Sequence, residues 1–260
     1  HRLLAAVVVL LLLSAALRFH RLGAQSFWND EGNSARLSER AIPAILEGTA
    51  SDIHPPLYYV LLRGWRELAG ETEFGLRALS AYVGVLTVAV VFTLARGVTR
   101  LAPLATQTAS EDADSALVTR HSSLVALLLA AVSPVLVYYS QETRMYALLA
   151  LLAALSTWAL LVWLGGAGRR WAVAYVLLAA AGLYTHYFFP AVMVAQGVVV
   201  LMQQRVTSDE RRATSDERLL HSSLVTRYSS LLHWLLLAAA AFVLYLPWLP
   251  IFLRQVGGRG

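Results

Sequence analysis

Two adjacent carboxylates, Asp30 and Glu31, follow Trp28 in the stretch FWNDEGNSARL at residues 27–37, directly after a run of almost pure Leu, Val and Ala. The chain therefore carries two acids where it leaves an apolar environment. Paired carboxylates at such a boundary are suited to general acid–base chemistry. The alternatives are a solvated side chain or acids that complement the positive end of a helix dipole in its first turn.

Composition restricts the class of protein. The chain of 260 residues is 58% hydrophobic and 14% charged, whereas soluble domains carry about 25% charged residues. Every basic side chain other than His is Arg, and these lie scattered between apolar runs without a basic face or an RNA-binding motif. This pattern argues against nucleic acid as a partner. The sequence contains no Cys, which excludes disulfides and thiolate metal sites.

Apolar runs near the length that crosses about 30 Å of hydrocarbon predict one all-α domain over residues 1–260, a polytopic transmembrane helical bundle of about seven spans. The predicted spans are residues 3–17, 75–95, 121–139, 145–164, 171–185, 187–203 and 231–252. The first span has an alternative interpretation as a signal peptide cleaved after SAA. Six further spans need no cleaved leader, so a span is preferred.

The distribution of Arg predicts the orientation, because cytoplasmic loops of membrane proteins carry an excess of basic residues. Segments expected in the cytoplasm are 97–120, 165–170 and 204–230. The long segment 18–74 and the short turns at 140–144 and 184–187 then lie outside the cell.

The two longer cytoplasmic loops contain internal repeats, because TSDER, HSSLV and LVTR each occur twice in or beside them. We interpret these repeats as duplicated low-complexity insertions, and a docking role is the alternative.

The external segment 18–74 is expected to form two or three amphipathic juxtamembrane helices over the bundle. A helix is predicted from Asp30 to Arg40, and Pro43 restarts a short turn that ends at Gly48. HPPLYYVLLRGWRELAG predicts a third helix that Gly70 ends. The residues that share its apolar face are Leu57, Leu61, Trp65 and Leu68. An amphipathic helix of this length is typical of the membrane interface.

The interiors of the predicted spans contain essentially no Asp, Glu or Arg, and Gln196 and His233 are the main polar exceptions. Ion pumps and proton-coupled transporters usually need ionisable groups at membrane depth. The pattern therefore favours a site at the lipid–water interface and a substrate with one part in each phase.

Five ordered motifs resemble the bacterial GT-C membrane glycosyltransferases, a superfamily that includes protein O-mannosyltransferases and the aminoarabinose transferase of lipid A. The motifs are FWNDEGNSARL, HPPLYYVLL, EFGLRALSAYVGVLTV, YYSQETRMYALLALL and LYTHYFFPAVMVAQG, and the resemblance covers about residues 1–205. Members transfer a sugar from a polyprenyl-phosphate carrier to an acceptor on the outer face. Most are longer, so the resemblance implies that the C-terminal part of their architecture is absent here.

Members use a carboxylate of the first external loop, and the motif match assigns this role to Asp30 as general base, with inversion at the anomeric carbon. Glu31 is placed beside it as a group that orients Asp30 or the acceptor. The departing polyprenyl phosphate is a stable anion, so a second carboxylate acting as acid is less necessary than in glycosidases. Cationic groups or a metal must hold the phosphate instead.

Arg144 is the preferred phosphate contact, with snorkelling to lipid headgroups as the alternative. Glu142 precedes it in the same short external turn and is assigned to the substrate site. Arg77 lies four residues after Glu73. That spacing usually indicates an ion pair on the helix surface. The more specific interpretation is that Arg77 contacts the donor phosphate.

His54, His186 and Tyr187 complete the predicted substrate-binding set. Their ordinary interpretations are a turn residue for His54 and members of an aromatic belt for the other two. His54, Glu142 and His186 would offer ligands acceptable to Zn²⁺ or Mn²⁺, although no HExxH-like spacing supports a metal. No cofactor is assigned, and a divalent metal stays open.

The sequence therefore predicts a glycosyltransferase of the plasma (inner) membrane with its site on the extracytoplasmic face. Its expected partners are a polyprenyl-phosphate-sugar donor, a protein, lipid or glycan acceptor, and membrane lipids. The alternative is a flippase or transporter of the same lipid-linked sugar. A polyprenyl-phosphate phosphatase is a further enzyme class, for which no nucleophile motif is present.

Overall fold

The computed structural model describes the backbone of residues 2–101, 111–213 and 217–257, and the side chains of residues 2–98, 119–202 and 230–257. Within these ranges the chain forms twelve α-helices and no β-strand, which confirms the predicted all-α class. The helices are α1 (Arg2–Phe19), α2 (Asn29–Ser38), α3 (Ile42–Ser51), α4 (Leu57–Ala69), α5 (Glu73–Leu101), α6 (Glu111–Val132), α7 (Pro134–Ser140), α8 (Tyr146–Leu164), α9 (Arg169–Leu183), α10 (Phe189–Ala213), α11 (Glu217–Tyr245) and α12 (Leu249–Gly257).

Several apolar helices indicate a membrane protein. In the described part of the chain, three helices are long and apolar enough to cross a membrane, namely α1, α5 and α8. The number rises to five if each of two bent pairs, α6 with α7 and α11 with α12, counts as one span. The predicted spans 171–185 and 187–203 are helical, as α9 and the shorter apolar helix Phe189–Met202. Length and composition thus support three to five spans, and a seven-span bundle stays a prediction.

Prolines bend two of the predicted spans. The predicted span 121–139 is two helices that meet at Pro134 at 52°, and the predicted span 231–252 is two helices that meet around Pro247 at 80°. Proline lacks the N–H that would continue the backbone ladder, and its ring clashes with the preceding turn. The last predicted span is therefore a helix followed by a strongly inclined one, α12, and not a straight rod.

The predicted cytoplasmic loops 97–120 and 204–230 are largely helical where the backbone is described. The helix α5 continues to Leu101, α6 already begins at Glu111, and α10 and α11 reach Ala213 and Glu217. Neither α6 nor α11 contains a Gly or Pro that would stop the helix, so these segments are helical where described, and their cytoplasmic location stays a prediction. Residues 102–110 and 214–216, and the side chains of most of the repeated segments, lie outside the described residues.

The helices α5 and α8 form the central pair of the bundle. The helix α5 packs against α1, α6 and α8, while α8 also packs against α9, and α11 packs against α9 and α10. The largest apolar cluster includes Leu160, Tyr175, Phe189 and Trp248. This core joins α8, α9, α10 and α11.

Three short helices, α2, α3 and α4, form in the segment 18–74 and cover one end of the bundle, and their placement at the membrane surface stays a prediction. The helix α2 matches the predicted helix, α3 continues past Gly48 to Ser51, and α4 ends at Gly70, whose positive φ of 79° favours glycine. The Leu57 N–H donates to the Tyr184 carbonyl at 3.0 Å, and Gln255 Nε2 donates to the Thr49 carbonyl at 2.9 Å. These bonds fasten the three helices to the bundle.

A buried arginine compensates for the break between α6 and α7. Pro134 has no N–H for the carbonyl of Ala130, four residues earlier. The Arg18 guanidinium donates to the carbonyls of Ala130 at 3.2 Å and Ala131 at 3.0 Å, and Arg18 is fully buried. Arg18 lies one residue beyond the predicted first span, and the structure places it inside α1. A Cβ at Gly84 would lie 2.9 Å from Arg18 Nε, so glycine keeps this space open.

We expect the variant Arg18→Met to be destabilised, because two buried carbonyls then lose their donors at about 1–3 kcal/mol each. Thermal unfolding in detergent, followed by tryptophan fluorescence, measures the effect. Arg2→Met changes an exposed arginine of the same helix and should leave Tm within about 1 °C, since surface substitutions are usually near neutral. Equal Tm values for the two variants would contradict this account of Arg18.

Candidate functional site

The first turn of α2, the start of α5 and the turn 141–145 between α7 and α8 meet where the short helices cover the bundle. Glu31 and Arg77 form an ion pair there, with Arg77 Nε 2.8 Å from Glu31 Oε1 and Nη2 2.6 Å from Oε2. Only 1% of Glu31 and 6% of Arg77 is exposed. A paired, bidentate geometry of this kind gives a strong charge-assisted contact.

The remaining N–H groups of Arg77 bind backbone carbonyls of the segment that leaves α1. Arg77 Nη1 donates to the carbonyls of Leu22 at 2.9 Å and Gln25 at 2.7 Å, and Nη2 also donates to Ser26 at 3.3 Å. All five guanidinium N–H groups are thus used. The partner of Arg77 is Glu31, so its expected ion pair with Glu73 is wrong, and no N–H is left for a phosphate.

Glu31 also fixes the turn between α7 and α8. Its Oε1 accepts the backbone N–H of Thr143 at 2.8 Å, in addition to Arg77 Nε. A carboxylate that is buried and bound on both oxygens holds its neighbours in place. Glu31 therefore holds Arg77 and the turn before α8, and the role predicted for it, orienting Asp30 or the acceptor, stays a prediction.

Asp30 projects to a different side of the same helical turn, since neighbouring residues on an α-helix point about 100° apart. Its side chain is 40% exposed and its Oδ2 lies 3.4 Å from Arg144 Nη2. Arg144 Nη1 lies 3.4 Å from the Asp30 carbonyl oxygen. The structure therefore brings Asp30 and Arg144 together and leaves the carboxylate open to a ligand.

Arg144 is buried but incompletely bonded. It is 5% exposed, and among the described residues its Nε has no hydrogen-bond partner. Burial lowers the pKa of Arg144, but hydrogen bonding to Tyr146 and the charge of Asp30 more than offset this, so the pKa lies above its usual value. Arg144 is thus a permanent cation beside Asp30.

His186 and His54 lie beyond Tyr146, on the Arg144 side of the site. The Tyr146 ring centroid is 5.8 Å from the Arg144 guanidinium carbon and 5.8 Å from the His186 ring centroid. The His54 ring centroid is 6.1 Å from that of His186, and His54 Nδ1 is 3.2 Å from Asp52 Oδ2. Burial, with the nearby His54 and Arg144, lowers the pKa of His186, so its ring is neutral at physiological pH.

A polar cavity of about 490 Å³ lies on the Glu31 side of the α2 turn. Its walls come from the segment after α1 and from the end of α7 with the following turn. They include His20, Arg21, Gln25, Ser26, Trp28, Glu31, Arg77, Tyr138, Gln141 and Glu142. Glu142 is 7% exposed, and burial raises the pKa of its carboxyl group, which is hydrogen-bonded to Tyr138.

Sequence reasoning did not select Gln141, Arg21 or Trp28. Gln141 Nε2 donates to the carbonyls of Leu17 at 3.0 Å and His20 at 3.1 Å, which lie at the C-terminal end of α1. Helix ends leave carbonyls without partners, so an amide in the turn YSQETR was an available signal. Arg21 has a φ of 54°, the one positive value at a non-glycine residue in the described part of the chain.

Two other predictions receive no support from the geometry. Tyr187 donates to Gln255 and accepts from Trp248 Nε1 at 3.2 Å, so its hydroxyl connects to α12. In the described ranges no three His, Cys, Asp or Glu side chains converge as a metal site would require. Glu142 lines the cavity, whereas the His54–His186 pair lies on the Arg144 side, so the proposed donor set is divided and no chemical step is assigned to a metal.

We expect Glu31→Ala to lower stability by about 3–5 kcal/mol, because it leaves the Arg77 charge buried without a partner. Tm in detergent measures this effect. The matched control is Glu39→Ala directly after the same helix, which removes an exposed acid 3.7 Å from Arg66 and should cost about 0–1 kcal/mol. Similar losses in both variants would show that the buried pair does not hold the site.

We expect Glu142→Gln to raise Tm at neutral pH. The folded pKa of Glu142 lies above its usual value, so the native state binds more protons than the unfolded state between the unfolded and folded pKa. Stability is therefore lost as pH rises through that window, and Gln avoids the loss. The gain should shrink as pH falls towards about 4.5, and a gain that is constant with pH would contradict the assignment.

The comparison with protein families finds a match over most of the chain. The family model described as Protein O-mannosyl-transferase TMEM260 N-terminal domain matches residues 54–246, more than half of the chain. The matched range contains Arg77, Arg144 and His186 and begins after the acids of α2. No curated protein and no solved structure matches the chain significantly. The chain belongs to the TMEM260 N-terminal domain family of protein O-mannosyl-transferases.

Proposed function

We propose that this protein transfers a sugar, mannose by analogy with its family, from a polyprenyl phosphate to a hydroxyl group of a polypeptide. Family membership supports a glycosyltransferase with a sugar donor and a protein acceptor. The lipid-linked donor, inversion at the anomeric carbon and the general base Asp30 are the parts that the proposal adds.

The proposal rests on the different surroundings of two neighbouring acids, Asp30 and Glu31. Glu31 is buried and bound to Arg77 and Thr143. Asp30 is 40% exposed and lies beside the Arg144 guanidinium, with its Oδ2 3.4 Å from Nη2. A partly exposed carboxylate next to a permanent cation is the arrangement that transfer from a sugar phosphate requires.

In the proposed reaction, the acceptor hydroxyl oxygen attacks the anomeric carbon from the side opposite the phosphate. A new carbon–oxygen bond forms as the bond between the anomeric carbon and the phosphate oxygen breaks. Asp30 accepts the hydroxyl proton, and polyprenyl phosphate leaves with the electron pair of the broken bond. Arg144 stabilises the charge on the departing phosphate, which grows in the transition state.

An apolar groove supports a lipid-linked donor. It has a volume of about 240 Å³, runs between α5, α7 and α8, and is lined by Val135, Leu149, Ala153 and Tyr146 among others. The Tyr146 ring is also 5.8 Å from the Arg144 guanidinium carbon. An isoprenoid chain in this groove would have its phosphate at Arg144, at the proposed lipid–water interface.

The proposed location is the extracytoplasmic face of the plasma membrane. Asp30, Arg144 and the two histidines belong to segments at one end of the bundle. The Arg-rich segments 97–120, 165–170 and 204–230 are the ones that positive-inside topology assigns to the cytoplasm. This distribution supports an outward-facing site.

The variant Asp30→Asn tests the proposal. We expect its kcat for sugar transfer to fall by about 10²–10⁴, because the general base is lost, while the affinity for the donor is kept. Arg144→Ala should instead weaken donor binding. Glu39→Gln, a change of an exposed acid directly after the helix of Asp30, should behave as the wild type. Transfer from a radiolabelled polyprenyl-phosphate mannose to a Ser/Thr peptide, in reconstituted membranes, provides the measurement.

Full transfer activity in Asp30→Asn would show that this carboxylate is not the base. If the wild type transfers no sugar but moves the labelled lipid across the membrane, and Asp30→Asn does so equally well, the protein is a flippase. Either result would overturn the proposal.

A further inference from the structure

The helix α12 connects two segments that carry predicted site residues. It meets α11 at 80° and packs against α3, one of the three short helices over the bundle. Gln255 lies on α12, outside residues 54–246 that the family model matches. Any role of Gln255 in the site is therefore one that family membership does not assign.

The side-chain amide of Gln255 binds two different segments. Its Nε2 donates to the carbonyls of Thr49 at 2.9 Å and Ala50 at 3.1 Å, in the last turn of α3. The last carbonyls of a helix lack the N–H four residues further on, so a side-chain amide is a suitable donor there. Its Oε1 accepts a hydrogen bond from the Tyr187 hydroxyl. One amide thus joins the end of α3 to the turn between α9 and α10.

The Tyr187 hydroxyl has a defined direction. It accepts the Trp248 Nε1–H at 3.2 Å and donates to Gln255, so its single proton points towards α12. The Phe252 ring packs on the Tyr187 ring with centroids 4.8 Å apart. The segment from Trp248 to Gln255 therefore holds the turn 184–187 through both polar and aromatic contacts.

Each segment that Gln255 binds carries one of the two histidines of the site. Asp52 directly follows α3, and its Oδ2 lies 3.2 Å from His54 Nδ1, so the end of α3 sets the place of His54. His186 directly precedes Tyr187, and its ring centroid lies 6.1 Å from that of His54. The spacing of the two rings therefore depends on how α3 and the turn 184–187 are joined.

The His186 ring is fixed in one hydrogen-bonding state. Its Nδ1 accepts the backbone N–H of Phe188 at 3.1 Å, so the neutral ring carries its proton on Nε2. Tyr146 lies between this ring and Arg144, with its centroid 5.8 Å from the His186 centroid and 5.8 Å from the guanidinium carbon. Displacement of a binding group by about 1 Å is enough to weaken its action on a substrate strongly.

We propose that Gln255 is a positioning residue of the donor site, which fixes the spacing of His54 and His186 beside Arg144 and so sets the affinity for the lipid-linked sugar. This inference rests on the proposed function, in which the Arg144 side binds the donor, and deepens it. Gln255 touches neither the substrate nor the reacting atoms, and it acts through the two histidines.

The contacts that place the catalytic pair do not involve Gln255. Glu31 binds the Thr143 N–H, and Arg144 follows Thr143 beside Asp30. Loss of Gln255 therefore affects donor binding and leaves the chemical step in place. This separation distinguishes a positioning role from a general loss of structure.

The variant Gln255→Met tests the proposal, since Met is of similar size and lacks the amide. We expect the KM for polyprenyl-phosphate mannose to rise by roughly two- to tenfold, the factor that one lost hydrogen bond typically carries, with kcat unchanged. Gln196→Met is the matched control, because Gln196 uses its amide in the bundle core, on Tyr175, Ser156 and Thr157. It should lower Tm and leave the donor KM unchanged. An unchanged donor KM in Gln255→Met, or equal rises in both variants, would overturn the proposal.

A double-mutant cycle shows whether Gln255 acts through the histidines. Gln255→Met should raise the donor KM less in a His54→Ala background than in the wild type, because the two changes then disturb one shared interaction. Fully additive effects would mean that Gln255 influences the donor by another route, and would contradict the proposal.

A distance measurement tests the contact between α3 and α12 without any activity. The sequence contains no Cys, so Glu47→Cys on α3 and Arg254→Cys on α12, both at exposed positions, place spin labels at two defined sites. We expect pulsed electron paramagnetic resonance to give a narrow distance distribution in the wild-type and Gln196→Met backgrounds and a broader one in Gln255→Met. The same distribution in all three backgrounds would overturn the proposal.

The two proposals fail in different ways. If the proposed function is wrong, the wild type transfers no sugar from a polyprenyl phosphate, while the spin-label distances still respond to Gln255→Met. If only the role of Gln255 is wrong, the wild type transfers sugar, and Gln255→Met behaves as the wild type in donor KM or in the distances.

Discussion

The buried ion pair between Glu31 and Arg77 is the contact on which the geometry of the site depends. Two charges away from water carry a desolvation cost, which is offset only when the geometry is good and the remaining polar atoms are bonded. Here Arg77 also binds the carbonyls of Leu22, Gln25 and Ser26, and Glu31 also binds the Thr143 N–H. One pair thus joins α2, α5, the segment after α1 and the turn before α8.

Because Glu31 and Arg77 hold these segments together, the neighbouring acid, Asp30, stays partly exposed. Asp30 takes its position from the same helical turn and does not need to contribute to holding the chain together. Arg144 follows Thr143, so the bond from Thr143 to Glu31 also sets the place of the guanidinium beside Asp30. Glu31, which holds the structure, and Asp30, which is proposed for the chemistry, are neighbours with separate roles. Their partner cations differ in the same way, since Arg77 is fully hydrogen-bonded and Arg144 lies beside the partly exposed Asp30.

The sequence predicted those features that depend on local pattern. Apolar runs indicated helices, Gly70 indicated the end of α4, and the charged turns indicated which residues lie near one end of the bundle. Local sequence pattern did not predict which side chains pair across different helices. Glu73 is four residues from Arg77 in sequence, yet Glu31, 46 residues away, is the partner, because tertiary packing, in which α2 packs on α4 and α4 on α5, decides the contact. Arg18 and Gln141 bind carbonyls of other helices for the same reason.

Gln255 donates to the carbonyl of Thr49 across 206 positions of the chain. A ribosome adding about 5–20 residues per second needs roughly 10–40 s to cover that interval. During synthesis, α3 is therefore made long before the side chain that ties it to α12. Until then, one of the hydrogen bonds that hold α3 on the bundle cannot form.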